Sequence, residues 1–331
     1  MNILVTGGAG FIGSRLIPRL LLRRDAVVTC LDDFNDYYDP ALKRENVAEF
    51  AAHPQVRLVE ASFCDADRMR ALFAASRFDA VVHLGGYAGV RYSVENPFPY
   101  QTTNVGGTLA LLEAARHHPV RRFVLASSST VYGRHAAAPF VEDGPLGTPL
   151  SPYGASKRAA ELLALTYFDL FRVPIVIVRP FSVYGPRLRP DLALSIFARA
   201  ILSGRPLPLF GDGSIRRDFT HVDDLCDGLE AALDREAVVG EAFNLGHDRP
   251  IEVREVIARL EALLGRRADI RREPEKPGEM PVTHADLSKA RRRLGYEPRT
   301  SFDAGLPTFV DWFRRRYEHA AGASAADSPS A

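Results

Sequence analysis

Tyr153 and Lys157, four residues apart, have the spacing in this chain that most strongly suggests chemistry. Residues four apart share one face of a helix, so the lysine ammonium can lower the pKa of the phenol through its charge. A phenol tuned in this way can remove a proton from an alcohol or sugar hydroxyl near neutral pH. Such pairs also occur by chance in many helices, so the interpretation depends on the surrounding elements.

The N-terminus has the pattern of a dinucleotide-binding unit. An apolar strand, 2–6, leads into the glycines Gly7, Gly10 and Gly13, and an apolar-periodic helix follows. Glycines let the backbone turn tightly and approach a pyrophosphate, whose charge meets the amides at the helix N-terminus. A second strand ends at Asp32, about 20 residues further on, where a carboxylate can bind the adenosine ribose. Its charge also repels the 2′-phosphate of NADP, so the pattern predicts NAD.

Four consecutive hydroxyl residues, Ser127 to Thr130, follow the apolar segment 122–126. Open α/β sheets bind ligands at the carboxyl ends of their strands, which is where these hydroxyls would lie. They are therefore candidates for substrate contacts, although a Ser/Thr-rich loop can also satisfy its own backbone.

Composition excludes several classes of function. The 331 residues suffice for a large core and two domains, and the net charge of +1 indicates no affinity for nucleic acid or membranes. The apolar runs are too short to span a bilayer, and no signal-peptide pattern precedes the first strand. The three cysteines are scattered without metal-ligand spacing and are typical of buried thiols in a reducing compartment. We therefore expect a cytoplasmic protein without a metal.

Strand and helix patterns alternate from residue 2 to about residue 180, which predicts an α/β fold with a Rossmann-type doubly wound parallel sheet. The later strands of this sheet are predicted at 26–31, 57–60, 80–84, 122–126 and 175–178. Beyond residue 180 the pattern loosens into a smaller mixed α/β C-terminal lobe, with helices near 192–203 and 253–264 and a short extended stretch at 206–210. The Ala/Ser-rich tail, 318–331, is expected to be disordered.

From Met1 to about Tyr317 the chain resembles the extended short-chain dehydrogenases/reductases of the nucleotide-sugar epimerase and dehydratase group. Besides the glycine loop, the hydroxyl run and the Tyr/Lys pair, the segments that carry this resemblance are 82–86, 104–108, 179–186 and 217–224. Within the group the chain is most similar to the UDP-glucuronate 4-epimerases, through segments 33–43, 88–93, 185–191 and 277–286.

This resemblance implies a division of labour along the chain. Residues 1–180 would form the NAD-binding domain, with return segments near 219–246, and residues 181–317 would mainly bind the nucleotide sugar. It also implies tightly bound NAD and a homodimer formed through helices near 97–117 and 153–171. The residues implied to contact NAD are Gly7, Gly10, Phe11, Ile12, Gly13, Asp32, Asn35, Asp65, Leu84, Gly85, Asn104, Ser127, Tyr153, Lys157, Pro180 and Val183.

The implied reaction is inversion of C4 in a UDP-hexuronate, from UDP-glucuronate to UDP-galacturonate, by transient oxidation. Arg189 would contact the sugar carboxylate and Arg217 the diphosphate, while Arg91 is equally compatible with ordering a loop. The implied catalytic residues are Tyr153, Lys157, Ser128 and Ser129. The residues implied to bind the UDP-sugar are Arg91, Ser128, Ser129, Thr130, Ser182, Arg189 and Arg217.

Several alternatives stay open at this stage. They are a 4-epimerase of a neutral UDP-sugar (UDP-glucose or a UDP-N-acetylhexosamine), a UDP-glucuronate decarboxylase, an NAD(P)H-dependent sugar reductase and a non-catalytic NAD-binding regulator. Related dehydratases and decarboxylases carry carboxylates where this chain has Ser129 and Thr130, which disfavours both reactions. The chain also departs from the family pattern at Ser62, Tyr87 and Pro180, close to the expected cofactor and sugar.

Overall fold

The structure, a computed structural model, describes residues 1–274 and 280–326, and for 318–326 the backbone alone. Its strands are β1 Asn2–Thr6, β2 Val27–Asp32, β3 Val56–Glu60, β4 Ala80–His83, β5 Arg122–Ala126, β6 Ile175–Pro180, β7 Ser182–Tyr184, β8 Leu207–Phe210, β9 Arg216–His221, β10 Ala242–Leu245, β11 Pro250–Glu252 and β12 Ile270–Glu273. Each strand predicted up to residue 180 is present, within two residues of its expected bounds.

Helices connect most of these strands. They are α1 Phe11–Leu21, α2 Pro40–Ala48, α3 Ala66–Ser76, α4 Val90–Glu95, α5 Phe98–Tyr100, α6 Thr108–His117, α7 Pro152–Phe171, α8 Ala193–Ser203, α9 Val222–Asp234, α10 Val253–Leu264, α11 Ser288–Leu294 and α12 Phe302–Ala326. A π-helical segment, Gln101–Gly107, joins α5 to α6, and short 3₁₀ turns lie at Ser129–Tyr132 and Glu236–Val238.

Seven parallel strands form the central sheet, in the order β10-β6-β5-β4-β1-β2-β3. Successive side chains of a strand point to opposite faces, and the apolar residues of β1 accordingly join two cores. Ile3 and Val5 belong to the core that includes Leu16 of α1, whereas Leu4 belongs to the core that includes Leu111 of α6. Helices on both faces confirm the predicted α/β class with a Rossmann-type sheet.

The order of the sheet reverses between β1 and β4, because β2 and β3 extend to one side and β4, β5 and β6 to the other. In open α/β sheets this switch point forms a crevice at the carboxyl ends of the strands. The glycine loop after β1 and the hydroxyl run after β5 both leave the sheet at that edge. The predicted site residues from distant parts of the sequence therefore meet there.

The C-terminal part forms two small sheets, β11-β9-β7 and β12-β8, with parallel and antiparallel pairs in the first. Within the return segment predicted near 219–246, α9 follows β9 and β10 pairs with β6 at the edge of the large sheet. The domain boundary at residue 180 stays a prediction.

Two sequence predictions concern the ends of the described ranges. The last helix continues to Ala326, through much of the segment expected to be disordered from residue 318, and 327–331 lie outside the described residues. Part of the family-like segment 277–286 also lies outside them, since 275–279 are not described.

Candidate active site

The glycine loop brings the start of α1 close to the end of β1. The amide of Gly7 donates to the carbonyl of Leu31 at 2.8 Å, which anchors the loop to β2. A Cβ on Gly13 would lie 2.4 Å from the Gly7 carbonyl oxygen, so only glycine permits this approach. Helix α1 begins at Phe11 without a side-chain cap, which leaves its first amides free to bind an anion.

Asp32 ends β2 and lies buried against the glycine loop. Its Oδ2 accepts a hydrogen bond from the Ala9 amide at 3.1 Å and its Oδ1 from the Phe34 amide at 3.0 Å. Burial raises the pKa of the Asp32 carboxyl, while these hydrogen bonds and the nearby Lys43 charge lower it. The carboxylate thus holds the loop in place and retains lone pairs for a ribose.

Asn35 and Lys43 form a small polar group beyond Asp32. The Lys43 ammonium donates to the side-chain oxygen and to the carbonyl of Asn35, both at 2.9 Å. The Asn35 amide nitrogen donates to Asp33 at 2.7 Å. Lys43 is only 5% exposed, although lysine is rarely buried without a function or a partner. The sequence analysis gave it no role, and its place in the segment after β2 was the only available signal.

At the carboxyl end of β4, the backbone is fixed by side chains from neighbouring elements. The amide of Gly85 donates to the Thr6 hydroxyl at 3.1 Å, and the Leu84 amide to the Thr6 carbonyl at 3.2 Å. Asn104 accepts from the Tyr87 amide and donates to the Ser156 hydroxyl, both at 2.9 Å. Asn104 therefore ties this loop to α7, which carries the Tyr/Lys pair.

Two further predicted cofactor contacts lie in different surroundings. Ser127 is buried, and its hydroxyl oxygen has no hydrogen-bond partner among the described residues. An unpartnered buried hydroxyl at the carboxyl edge fits a site completed by a ligand. Asp65, by contrast, is exposed and accepts from the Arg68 amide at 3.0 Å as the N-cap of α3. Its predicted contact with adenine is therefore not supported by this geometry.

Pro180 and Val183 flank the carboxyl end of β6 on the opposite side of the crevice. Both are partly buried, Pro180 beside Leu245 of β10 and Val183 beside Thr220 of β9. Taken together, the glycine cradle, the uncapped start of α1 and the unpartnered Ser127 hydroxyl fit a dinucleotide.

Helix α7 positions Tyr153 and Lys157 beside the hydroxyl run. Ser151 caps the helix by accepting from the Gly154 amide at 3.2 Å. A Cβ on Gly154 would lie 3.0 Å from the Thr130 carbonyl oxygen, so a glycine there lets the helix approach closely. In the run itself, the Thr130 hydroxyl donates to the Ser128 hydroxyl at 3.0 Å.

The acidities of the Tyr/Lys pair differ from what the spacing predicted. Burial raises the pKa of Tyr153, while a hydrogen bond with Ser128 and the charge of Arg189 lower it. Lys157 donates to the Ala126 carbonyl at 2.9 Å, and burial lowers its pKa to about 8, opposed by the charge of Glu161. The group predicted to lower the Tyr153 pKa was Lys157, but Arg189 supplies the charge that does so here.

The three arginines predicted to bind the sugar nucleotide have different partners. Arg189 forms a bidentate ion pair with Asp191. The guanidinium of Arg91 lies over the Phe210 ring, 4.2 Å from its centroid, and so connects the two lobes. Arg217 on β9 donates to the Met280 carbonyl at 2.7 Å.

Ser129 and Ser182 complete the predicted substrate contacts. Ser129 is buried at the start of the 3₁₀ turn after β5, and Ser182 begins β7, half-buried. Both leave the carboxyl edge of the central sheet, as expected.

A row of aromatic rings that the sequence analysis did not assign forms one wall near Tyr153. Ring centroids are 5.1 Å apart for Tyr37 and Tyr87, 5.8 Å for Tyr87 and Tyr100, and 5.9 Å for Tyr100 and Tyr153. The Tyr100 hydroxyl donates to the carbonyl of Gly89 at 2.9 Å. These four tyrosines come from four separate segments, so no local pattern could reveal their association.

Histidines and cysteines show no sign of metal binding in the described part of the chain, 1–274 and 280–326, where no group of three or more potential ligands is found. His83 instead contacts the hydroxyls of Thr6 at 2.6 Å and Thr108 at 3.0 Å, and burial lowers its pKa to about 3. The predicted structural role of His83 is therefore confirmed. No described helix is both long and apolar enough to cross a membrane.

Comparison with known proteins finds matches that cover most of this chain. The model of the NAD dependent epimerase/dehydratase family matches residues 3–246. A UDP-glucuronate 4-epimerase of Thermodesulfobacterium geofontis is 39% identical over 316 residues, which cover 95% of this chain and 97% of that protein.

Solved structures agree in fold over nearly the whole chain. The UDP-glucuronic acid 4-epimerase of Bacillus cereus, in complex with UDP-glucuronic acid and NAD, has a TM-score of 0.91 at 38% identity and covers 96% of this chain and 100% of its own. The UDP-glucose 4-epimerase of Thermotoga maritima, with UDP-glucose, has a TM-score of 0.86 at 30% identity, with 96% and 100% covered.

Proposed function

The chain belongs to the NAD dependent epimerase/dehydratase family, and from that premise we propose that it inverts C4 of UDP-glucuronate to give UDP-galacturonate, with tightly bound NAD. The observation that carries the proposal is that α7 packs Tyr153 against the hydroxyl run at the carboxyl edge of the sheet, where Ser128 and the charge of Arg189 both act on its phenol. An acid–base group, a hydroxyl and a cation for a carboxylate are the groups that such a substrate requires. Relatives named UDP-glucuronate 4-epimerases support the same choice.

In this proposal the residues of the chain supply position and proton transfer. The NAD held by the glycine loop and Asp32 would supply the hydride chemistry at C4, and the 4-keto sugar would turn over in the crevice between oxidation and reduction. Tyr153 removes the proton of the 4-hydroxyl and later returns it, and Ser128 hydrogen-bonds the 4-oxygen. Lys157 binds the nicotinamide ribose from its buried place under the crevice. Since oxidation and reduction cancel, the protein needs no external supply of oxidised cofactor.

The remaining site roles are proposed as the resemblance implied them, with one exception. The glycine loop, Asp32, Asn35 and the carboxyl ends of β4 and β6 would hold NAD, and Arg217 the diphosphate. Asp65 is left out, because its carboxylate caps α3. Ser129 and Thr130 would hydrogen-bond the sugar. Neither side chain can act as a carboxylate acid or base, so elimination of water from the sugar is disfavoured.

We further propose a homodimer formed through α6 and α7. Leu109 on α6 and Leu162 and Leu170 on α7 are 38%, 51% and 67% exposed, and apolar side chains on adjacent helices are typical of an interface. A cytoplasmic location is proposed on the sequence evidence alone. Sedimentation of the purified protein tests the dimer, and replacement of Leu162 and Leu170 by glutamate should then give monomers.

The proposed reaction is tested with purified protein and no added NAD. UDP-glucuronate and UDP-glucose are supplied separately, and the products are identified by NMR. Conversion of UDP-glucuronate to UDP-galacturonate supports the proposal and shows that the cofactor is retained. Conversion of UDP-glucose alone would establish a neutral-sugar epimerase instead, and a pentose product would establish decarboxylation.

A further inference from the structure

Asp191 binds the arginine that is proposed to hold the sugar carboxylate, in a geometry that fixes the plane of the guanidinium. Its Oδ1 accepts from Nε of Arg189 at 3.0 Å, and its Oδ2 from Nη2 at 2.7 Å. These two nitrogens form one edge of the planar group, so the bidentate contact sets its orientation. Nη1 makes no hydrogen bond to any described residue.

The orientation of Asp191 is itself fixed by its surroundings. The Leu192 amide donates to the Arg189 carbonyl at 3.3 Å, closing a turn in which Pro190 is the second residue. The Tyr37 hydroxyl lies 3.2 Å from Oδ2 of Asp191, and the Tyr37 ring lies 5.4 Å from the guanidinium carbon of Arg189. A rigid turn and one tyrosine therefore hold both members of the ion pair.

We propose that Asp191 is a positioning residue that leaves only the edge formed by Nη1 and Nη2 of Arg189 for the carboxylate of a bound uronate. The inference rests on the proposed function. One edge of the guanidinium is taken by Asp191, and the adjacent edge still carries two donors, which suits a second bidentate contact. The substrate carboxylate, and C6 with it, is then held at a single position relative to the sugar ring.

That position matters because the oxidised sugar is a β-keto acid. In loss of CO₂ the C5–C6 bond breaks, its electron pair moves into an enolate at C4–C5, and C5 then takes a proton from water. The breaking bond must align with the carbonyl π-system for this to occur. A carboxylate anchored at one position by Arg189, which Asp191 itself fixes, keeps the C5–C6 bond out of that alignment. The negative charge of Asp191 also partly offsets that of Arg189. Asp191 therefore orients the guanidinium but weakens its electrostatic attraction for the anionic sugar.

The variant Asp191→Asn removes the charge and half of the bidentate contact at nearly constant size. The control is Asp303→Asn, which makes the same change in an exposed ion pair with Arg259 elsewhere on the surface. For each protein the measured quantities are the fraction of UDP-pentose and UDP-4-ketopentose among the products of UDP-glucuronate, kcat and KM. The product fraction is counted per turnover, so partial unfolding does not change it.

In Asp191→Asn we expect kcat for epimerisation to fall about 10-fold and the decarboxylated fraction to rise by a similar factor, because small errors of orientation have large effects on reaction rates. KM for UDP-glucuronate should stay the same or fall, since the cation loses its counter-ion. The control should match the wild type. An unchanged product fraction, or equal losses on UDP-glucuronate and UDP-glucose, would overturn the inference.

A wild type that does not convert UDP-glucuronate would refute the proposed function, and equilibrium binding would then decide the inference separately. The dissociation constants of UDP-glucuronate and UDP-glucose are measured for wild type and Asp191→Asn. Their ratio should change by about 3-fold or more if Asp191 controls the carboxylate contact. An unchanged ratio would overturn that role.

Discussion

Arg179 and Arg189 each form a bidentate ion pair with a carboxylate, but the two pairs lie in different environments. Arg179 donates to Glu161 at 2.9 and 3.0 Å, and the two side chains are 4% and 0% exposed. Arg189 donates to Asp191 at 3.0 and 2.7 Å, with side chains 16% and 32% exposed. The first pair is sealed under α7, whereas the second faces the crevice.

The pairs differ further in what each arginine leaves free. Each guanidinium lies over a tyrosine ring, Arg179 over Tyr132 at 5.0 Å and Arg189 over Tyr37 at 5.4 Å. Nη1 of Arg179 donates to the Tyr132 hydroxyl at 3.1 Å, so all three of its nitrogens are bonded. Nη1 of Arg189 has no such partner among the described residues. Complete pairing suits a scaffold, and incomplete pairing suits a binding site.

The two ion pairs also act on different members of the proposed catalytic pair, Tyr153 and Lys157. Glu161 follows Lys157 by one helical turn on α7, and its charge raises the pKa of Lys157. The charge of Arg189 lowers the pKa of Tyr153. The buried pair therefore influences the residue proposed to hold the cofactor, and the crevice pair the residue proposed to move protons.

The largest expected effect is a loss of turnover without a loss of stability. Tyr153→Phe removes one hydroxyl and leaves both ion pairs intact, so turnover should fall by roughly 10²–10⁴ because a positioned acid–base group is lost. NAD content and the urea-unfolding midpoint should stay near wild type. Near-normal turnover in this variant would remove Tyr153 from the proposed role.

Breaking the buried pair should mainly destabilise the fold. Glu161→Gln leaves the Arg179 charge buried without its counter-charge, at a cost of about 3–5 kcal/mol in the free energy of unfolding. Asp191→Asn should cost about 1 kcal/mol or less, because that pair is partly exposed. Urea denaturation followed by circular dichroism measures both values. Similar losses in the two variants would contradict the distinction between scaffold and site.

The pH dependence of kcat/KM should change when the buried Arg179–Glu161 pair is broken, and not when the Arg189–Asp191 pair is broken. Lys157, with a pKa of about 8, loses its proton as the pH rises, so kcat/KM should fall above about pH 8. Glu161 raises that pKa, and Glu161→Gln should therefore move the alkaline limb to lower pH by about 1 unit. Asp191→Asn should leave the limb in place. The profiles are measured only at pH values where each variant remains folded. If the alkaline limb lies at the same pH in the wild type, Glu161→Gln and Asp191→Asn, Lys157 is excluded as its source.

The smallest expected effects are the losses of stability on removing the hydroxyls of Tyr37 and Tyr132, the tyrosines beside the two arginines. Tyr37→Phe removes a hydroxyl that contacts both the Ala88 carbonyl and Asp191 at a partly exposed position, and should cost about 0.5–1.5 kcal/mol in stability. Tyr132→Phe removes a buried hydroxyl that donates to Asn244 Oδ1 and accepts from Arg179 Nη1, and should cost about 1–3 kcal/mol. Thermal unfolding measures the difference. A larger loss in Tyr37→Phe would show that the crevice pair is the more important for the fold.

Much of this architecture was accessible from local patterns. Strands such as Asn2–Thr6 and Arg122–Ala126 are continuous apolar runs, and helix Val253–Leu264 has a clear helical period, so their positions could be predicted. The glycine spacing and Asp32 identified the cofactor crevice for the same reason. Asp65 shows the limit of this approach, since a carboxylate after a strand can cap a helix, as Asp65 does here, or contact a ligand.

The sequence by itself determined the fold class and the NAD cofactor, and it singled out Tyr153 and Lys157 as the proposed catalytic pair, because each depends on spacing along the chain. Only the tertiary structure decided which distant charges meet these residues. Arg179 meets Glu161 and Tyr132 through the packing of α7 on the sheet, and the charge of Arg189 reaches Tyr153 from the loop after β7. Charge interactions depend on distance and burial in space, and neither quantity can be read from positions in the sequence.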